Sequence, residues 1–232
     1  MLYPLPPVPE PEPMLALVLA STLAADLPVA PPPRPVDPFA KWEKNILAHE
    51  KRLTAAPPKP GSVFFAGSSS IVGWDVKKFF PGAGYINVGF GGSVIADSTH
   101  FAPRILTPYK PGTIVFYAGD NDIGRGIKPE QVAADFKAFV AAVRKDNPSC
   151  RVLFVAVKPS LARWKLFEAQ KKANALVRAY CESETGLVFV DIVPLMLGSD
   201  GKPVAELFVK DGLHMTPKGY ELWTAAVSKA LR

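Results

Sequence analysis

The sequence predicts an α/β domain on a mostly parallel sheet covered on both faces. Two observations carry this. Five short runs rich in Val, Ile and Phe, at 63–66, 85–88, 113–118, 152–157 and 187–191, are separated by segments of helical periodicity at 93–106, 129–145, 163–183 and 217–231. That alternation builds parallel sheets through helical crossovers. The runs VFFA (63–66) and IVFYA (114–118) are continuously apolar, as strands buried on both faces are. Ahead of the first run, residues 39–53 place Phe39, Trp42, Ile46, Leu47 and Leu53 at roughly helical spacing, which predicts a helix packed on the domain.

Composition sets the bounds. The 232 residues are 48% hydrophobic and 21% charged, enough for one domain of moderate size that buries its core without metal or disulfide staples. Two cysteines, Cys150 and Cys181, exclude a disulfide scaffold and a four-Cys zinc site. Both fall near the face opposite the strand ends that carry chemistry. Pairing of the two in an exported protein and two buried free thiols stay open as readings. The net charge of +6 is uneven: residues 39–232 hold 26 basic against 17 acidic residues. These bases are scattered, as in Lys77-Lys78 and Lys171-Lys172, with no stacking aromatics between them. They read as a solvated surface, not a nucleic-acid footprint.

Residues 1–38 read as a Pro-rich segment outside the folded domain, which spans 39–232. Twelve of the 25 prolines fall there, and 14–25 (MLALVLASTLAA) is an apolar run too short to span a bilayer. It has the length of a signal-peptide core, with small residues at a cleavage position, but no Lys or Arg precedes it. It reads as a degenerate or mis-started export signal, placing the protein in the periplasm or outside the cell. A Pro-rich tether on a cytoplasmic protein is the alternative. Residues 28–38 read as an extended linker.

In parallel α/β sheets, ligands sit beyond the carboxyl ends of the strands. There the sequence places Gly67-Ser68-Ser69-Ser70, Gly89-Phe90-Gly91-Gly92-Ser93, Gly119-Asp120-Asn121-Asp122 and Asp211-Gly212-Leu213-His214. An acyl-transfer site needs a hydroxyl nucleophile, a neutral imidazole, a carboxylate that fixes the imidazole, and donors facing the oxyanion. Of three histidines, His49 reads as a solvated residue of the first helix and His100 as structural. His214 lies in a loop three residues after Asp211, before a helix opening at Thr216-Pro217 with Thr216 as N-cap. Gly67 permits a tight strand-to-helix turn, and a serine there meets the positive end of the next helix. Ile71 rules out the Gly-x-Ser-x-Gly elbow.

The blocks FFAGSSSI, NVGFGGS, AGDND and DGLH, in this order, resemble the four signature blocks of the SGNH/GDSL hydrolases. The resemblance implies a three-layer α/β/α, flavodoxin-like fold with about five mostly parallel strands. It also implies a serine esterase without cofactor or metal. Carried over residue by residue, Ser69 is the nucleophile, His214 the general base and Asp211 its orienting carboxylate. The backbone N–H groups of Ser69 and Gly92 and the Asn121 amide form the oxyanion hole. Ser68 stands where the family usually has Asp, which makes the block similar to a GSSS-type branch with platelet-activating-factor acetylhydrolase-like esterases. Three adjacent serines keep Ser68 and Ser70 open as nucleophiles.

Four further residues, Trp74, Arg125, Lys158 and Trp164, are candidates for substrate contact, and Arg163 lies in the same KPSLARW segment. Core packing is the alternative for Trp74; salt bridging is the alternative for Lys158, Arg163 and Arg125. The spacing of the blocks leaves no room for a long lid, so the expected substrate is a short-chain, acetyl, ester of a small molecule or carbohydrate. Neither nucleic acid nor stable membrane insertion is expected. Two competing readings remain. GDNDIGRG (119–126) also resembles an element of metal-dependent phosphoesterases, and a non-catalytic carbohydrate-binding module could use the same fold.

Overall fold

A computed structural model describes Met1 and residues 37–232; the apolar run at 14–25 lies outside the described residues. The chain from Asp37 to Arg232 forms one unit. Its elements are helix α1 (Glu43–Ala55), strand β1 (Val63–Gly67), the one-turn helices α2 (Ser69–Val72) and α3 (Val76–Phe79), β2 (Ile86–Asn87) and α4 (Ile95–Ile105). Then follow β3 (Thr113–Tyr117), α5 (Asp120–Gly124), α6 (Pro129–Arg144), β4 (Arg151–Val155), α7 (Phe167–Ser183), β5 (Leu187–Val190), α8 (Val193–Met196) and α9 (Pro217–Leu231). All five predicted strands and all five predicted helices form, with ends shifted by a few residues.

The strands make one all-parallel sheet in the order β2-β1-β3-β4-β5. The order reverses between β1 and β3, and such a switch point opens a crevice at the carboxyl ends of the two strands. Ser69 and Asn121 lie in the first turn of the short helices that follow those two strands.

Each strand feeds two cores because successive side chains point to opposite faces. Phe64, Ile114, Phe116, Val152 and Phe154 pack with Ile46 of α1, Phe101 of α4, Phe136 and Phe139 of α6 and Val177 of α7. Phe65, Val115, Tyr117, Leu153 and Val155 face the other way, onto Ile71, Trp74 and, from α9, Tyr220, Trp223 and Val227. Every residue of β3 is buried, which is why its sequence is apolar without alternation. Each such large side chain contributes about 1.5–3 kcal/mol by leaving water.

Trp74 belongs to this second core. It is 1% exposed and packs against Phe65, Phe80, Tyr220 and Trp223. It is a core residue, and it also lines a cavity of about 490 Å³ that does not include Ser69. Cys150 and Cys181 are free, buried thiols, and burial raises them to about 11 and about 12. Among the described residues, no helix is long and apolar enough to cross a membrane.

Candidate active site

Gly67 ends β1 at φ +126°, and Ser68 donates its N–H to the Tyr117 carbonyl at 2.9 Å. The chain then turns into α2, with Ser69 as first residue. The following helix is a single turn, so its contribution at Ser69 is that of a few free N–H groups and not a long macrodipole. Ser68 and Ser70 are fully buried, whereas Ser69 is partly exposed. Ser70 Oγ accepts from Lys158 Nζ at 3.1 Å. Only Ser69 faces the imidazole.

His214 arrives from the other end of the chain on a closed loop. Val209 N–H donates to the His214 carbonyl at 2.9 Å, Gly212 N–H to the Val209 carbonyl at 2.8 Å, and Thr216 N–H to the Leu207 carbonyl at 2.9 Å. Below the loop Thr216 caps α9, its hydroxyl accepting from Gly219 N–H. Within the loop, Asp211 Oδ1 accepts the N–H groups of Leu213 and His214 at 2.8 and 2.9 Å, and Oδ2 takes His214 Nδ1–H at 2.6 Å. The His214 hydrogen bond, then the two backbone donors, hold the Asp211 carboxyl well below the usual carboxylate range. With Nδ1 protonated, Nε2 presents its lone pair to Ser69 Oγ, 3.0 Å away. This connected line of hydroxyl, imidazole and carboxylate can activate an oxygen nucleophile.

The second block meets Ser69 at Gly91, where a β-carbon would lie 3.9 Å from the Ser69 β-carbon. Gly92 has φ +75°, open to glycine, and a β-carbon there would lie 3.4 Å from the Trp42 ring. Asn121, in the first turn of α5, donates Nδ2–H to the Ser93 carbonyl at 3.0 Å and accepts Arg163 Nη2–H on Oδ1 at 2.9 Å. These two neighbours have opposite hydrogen-bonding sense, so the amide can sit only one way round. A carboxamide nitrogen carries two protons, which leaves one for a ligand.

The profile of the GDSL-like lipase/acylhydrolase family matches residues 65–222. The chain belongs to that family. It is thus a hydrolase of the SGNH/GDSL type. The bovine platelet-activating factor acetylhydrolase IB subunit alpha1 is 28% identical over 200 residues, covering 81% of this chain and 82% of the relative. A GDSL-like lipase of Bacteroides thetaiotaomicron superposes with a TM-score of 0.67 at 23% identity, over 83% of this chain and 98% of that one. A carbohydrate esterase family 3 protein of Talaromyces cellulolyticus does so with a TM-score of 0.58 at 16% identity, over 73% and 95%. At such identities these structures show a shared SGNH/GDSL fold.

Of the candidates for substrate contact in this GDSL-family domain, three have other partners. Lys158 is 1% exposed and lies within 3.0 Å of both Asp120 Oδ2 and the Tyr117 hydroxyl. It is a buried salt-bridge residue. Burial works to raise the Asp120 carboxyl, but the charges of Lys158 and Arg163 outweigh it and hold Asp120 ionised. Arg125 donates to the Gly92 carbonyl at 2.6 Å, bracing the second block. Trp164 stacks on Phe167, centroids 4.6 Å apart. His49 is half-buried, not solvated: Nε2–H donates to the Gly89 carbonyl at 3.0 Å, and burial lowers its proton affinity. His100 stacks face to face on Phe39.

The acids of GDNDIGRG are likewise engaged inside the protein, Asp120 as above and Asp122 Oδ1 by the Ile95 N–H at 3.1 Å. Among the described residues, no three His, Cys, Asp or Glu side chains gather as a ligand set. Two cavities of about 490 and 610 Å³ share Arg52 and Lys77 as lining, and neither is lined by Ser69, Asn121 or His214.

Proposed function

We propose that the protein is a serine esterase acting on short-chain, acetyl, esters through an acyl-enzyme on Ser69. The observation that carries this reading is the unbroken line from Ser69 Oγ through the His214 imidazole to Asp211, at 3.0 and 2.6 Å. His214 Nε2 takes the Ser69 proton as Oγ bonds to the ester carbonyl carbon. The carbonyl oxygen becomes an oxyanion facing the N–H groups of Ser69 and Gly92 and the Asn121 amide. Collapse expels the alkoxide, which leaves with the proton from His214. Water, deprotonated in turn by His214, releases the acid. Each oxyanion donor of this kind is worth about 10²–10³ in rate.

The acetyl preference rests on the spacing of the signature blocks, which leaves no room for a long lid, and the name of the bovine relative, an acetylhydrolase, agrees with it.

Hydrolysis of para-nitrophenyl esters by the full chain, with chelator present throughout, tests the reading. Acetate is expected to turn over faster than octanoate. Ser69→Ala is expected to lose at least about 10³-fold, while Ser70→Ala keeps activity. Full activity in Ser69→Ala, or dependence on added metal, would overturn the mechanism. Octanoate preferred over acetate would overturn the acyl assignment alone.

A further inference from the structure

We propose that Arg163 is a positioning residue that aims and polarises the Asn121 carboxamide. The proposal rests on the serine-esterase reading, in which Asn121 Nδ2 holds the oxyanion. Arg163 does not occupy that hole. Its Nη2 donates to the opposite end of the amide, Oδ1, at 2.9 Å.

Three contacts build this arrangement. Arg163 Nη1 lies 3.1 Å from Asp120 Oδ2, the same oxygen that Lys158 Nζ approaches to 3.0 Å. The guanidinium also lies against Gly124, where a β-carbon would stand 3.1 Å from Cζ and from Nε; any larger residue would push it off α5. Finally, Ala162 N–H donates to the Gly212 carbonyl at 3.0 Å. The backbone next to Arg163 is therefore pinned to the loop that carries Asp211 and His214. One short segment connects the oxyanion side of the site to its acid-base side.

The chemistry follows from charge and resonance. Two cations share the Asp120 carboxylate, and Nη2 of one of them is turned to Asn121. A charge-assisted hydrogen bond at the amide oxygen draws electron density from the amide nitrogen and makes its N–H a stronger donor. The same bond opposes rotation of the amide, because an inverted carboxamide would set its NH₂ against the guanidinium. Asn121 is thereby held as a donor before substrate arrives, the condition under which such a group stabilises developing charge most. The Arg163 side chain is 20% exposed, shielded enough to retain this effect.

A double-mutant cycle on the full-length chain tests the proposal, with hydrolysis of para-nitrophenyl acetate as readout. Arg163→Met is expected to lower kcat about 10- to 100-fold with KM within about three-fold, a weakened donor costing less than a deleted one. In an Asn121→Ala background the same substitution is expected to cost less than about two-fold, because its route to the oxyanion is gone. Arg163→Lys, which keeps a charge against Asp120, covers the case where Arg163→Met does not fold. It is expected to lose less in wild type and nothing in the Asn121→Ala background. An equal loss in both backgrounds, for whichever variant folds, would overturn the proposal, as would a change confined to KM. Full activity in Ser69→Ala would instead remove the esterase reading beneath it, so the two failures are distinguishable.

Discussion

Gly67 and Tyr117 approach so closely that a β-carbon on Gly67 would stand 1.9 Å from the Tyr117 carbonyl oxygen. This is the point where β1 and β3 part and where Ser68 N–H bonds the same carbonyl at 2.9 Å. The glycine is required twice, by contact and by its φ of +126°, a region closed to side chains with a β-carbon. Since Ser69 is two residues on, the packing of two central strands sets the position of its hydroxyl.

Gly67→Ala is accordingly expected to cost more than about 3 kcal/mol, at the severe end of single substitutions, because no flexible side chain can give way. Urea denaturation would show a lowered midpoint or no folded protein. A variant with wild-type stability and activity would mean that the two strands can separate at this point, and the account of how Ser69 is placed would fail.

The acid-base side of the site has a different sensitivity. Asp211 and His214 are about half exposed, at 48% and 43% of their side chains, so neither is needed for the core. Asp211→Asn is expected to leave the melting temperature within a few degrees while kcat falls about 10²–10⁴-fold, because an amide supports the wrong imidazole tautomer. Asp211, held well below the usual carboxylate range by its hydrogen bonds to His214 and to the loop backbone, stays ionised through mildly acidic pH, so its bond to the imidazole persists there.

Much of this was legible in the chain because each signal was local. Apolar runs announced the strands, and Asp211, His214 and Thr216 lie close enough in sequence for their loop chemistry to be read. Long-range partners were not legible. Lys158 and Arg163 could be placed at the active-site end of β4, but nothing in KPSLARW tells a substrate-binding cation from one that pairs with Asp120, 38 residues earlier. Trp42 left no trace of its contact with Phe90, since the start of α1 precedes the sheet and reaches the second block only through packing. His49 misled for the same reason: among charged neighbours it looked solvated, and its partner is the carbonyl of Gly89. Trp74, five residues after Ser69, has its partners in Phe65 and α9, the latter some 150 residues on.

The N-terminus of α4 yields a prediction about stability and not activity. Two carboxylates receive its first free N–H groups, Asp97 Oδ2 from Val94 at 2.9 Å and Asp122 Oδ1 from Ile95 at 3.1 Å. Asp122 is wholly buried, and burial raises its carboxyl to about 6 despite the Ile95 bond that works to lower it. The folded state therefore binds a proton at Asp122 more tightly than the unfolded chain, whose carboxyl titrates near 3.9. Stability from this group is present at the acidic end of that window and is lost as pH rises from about 4 to about 6. Asp122→Asn keeps an acceptor for Ile95 and carries no charge, so it removes that loss. The expected gain at pH 7 is about 1–2 kcal/mol, less than the shift alone implies, because the new NH₂ group lacks a partner. Urea denaturation of both proteins from pH 4 to pH 7.5 would show the difference in favour of Asn widening up to about pH 6 and constant above it. Parallel curves would mean that Asp122 is as easily ionised in the fold as out of it, and that water or a cation reaches the start of α4.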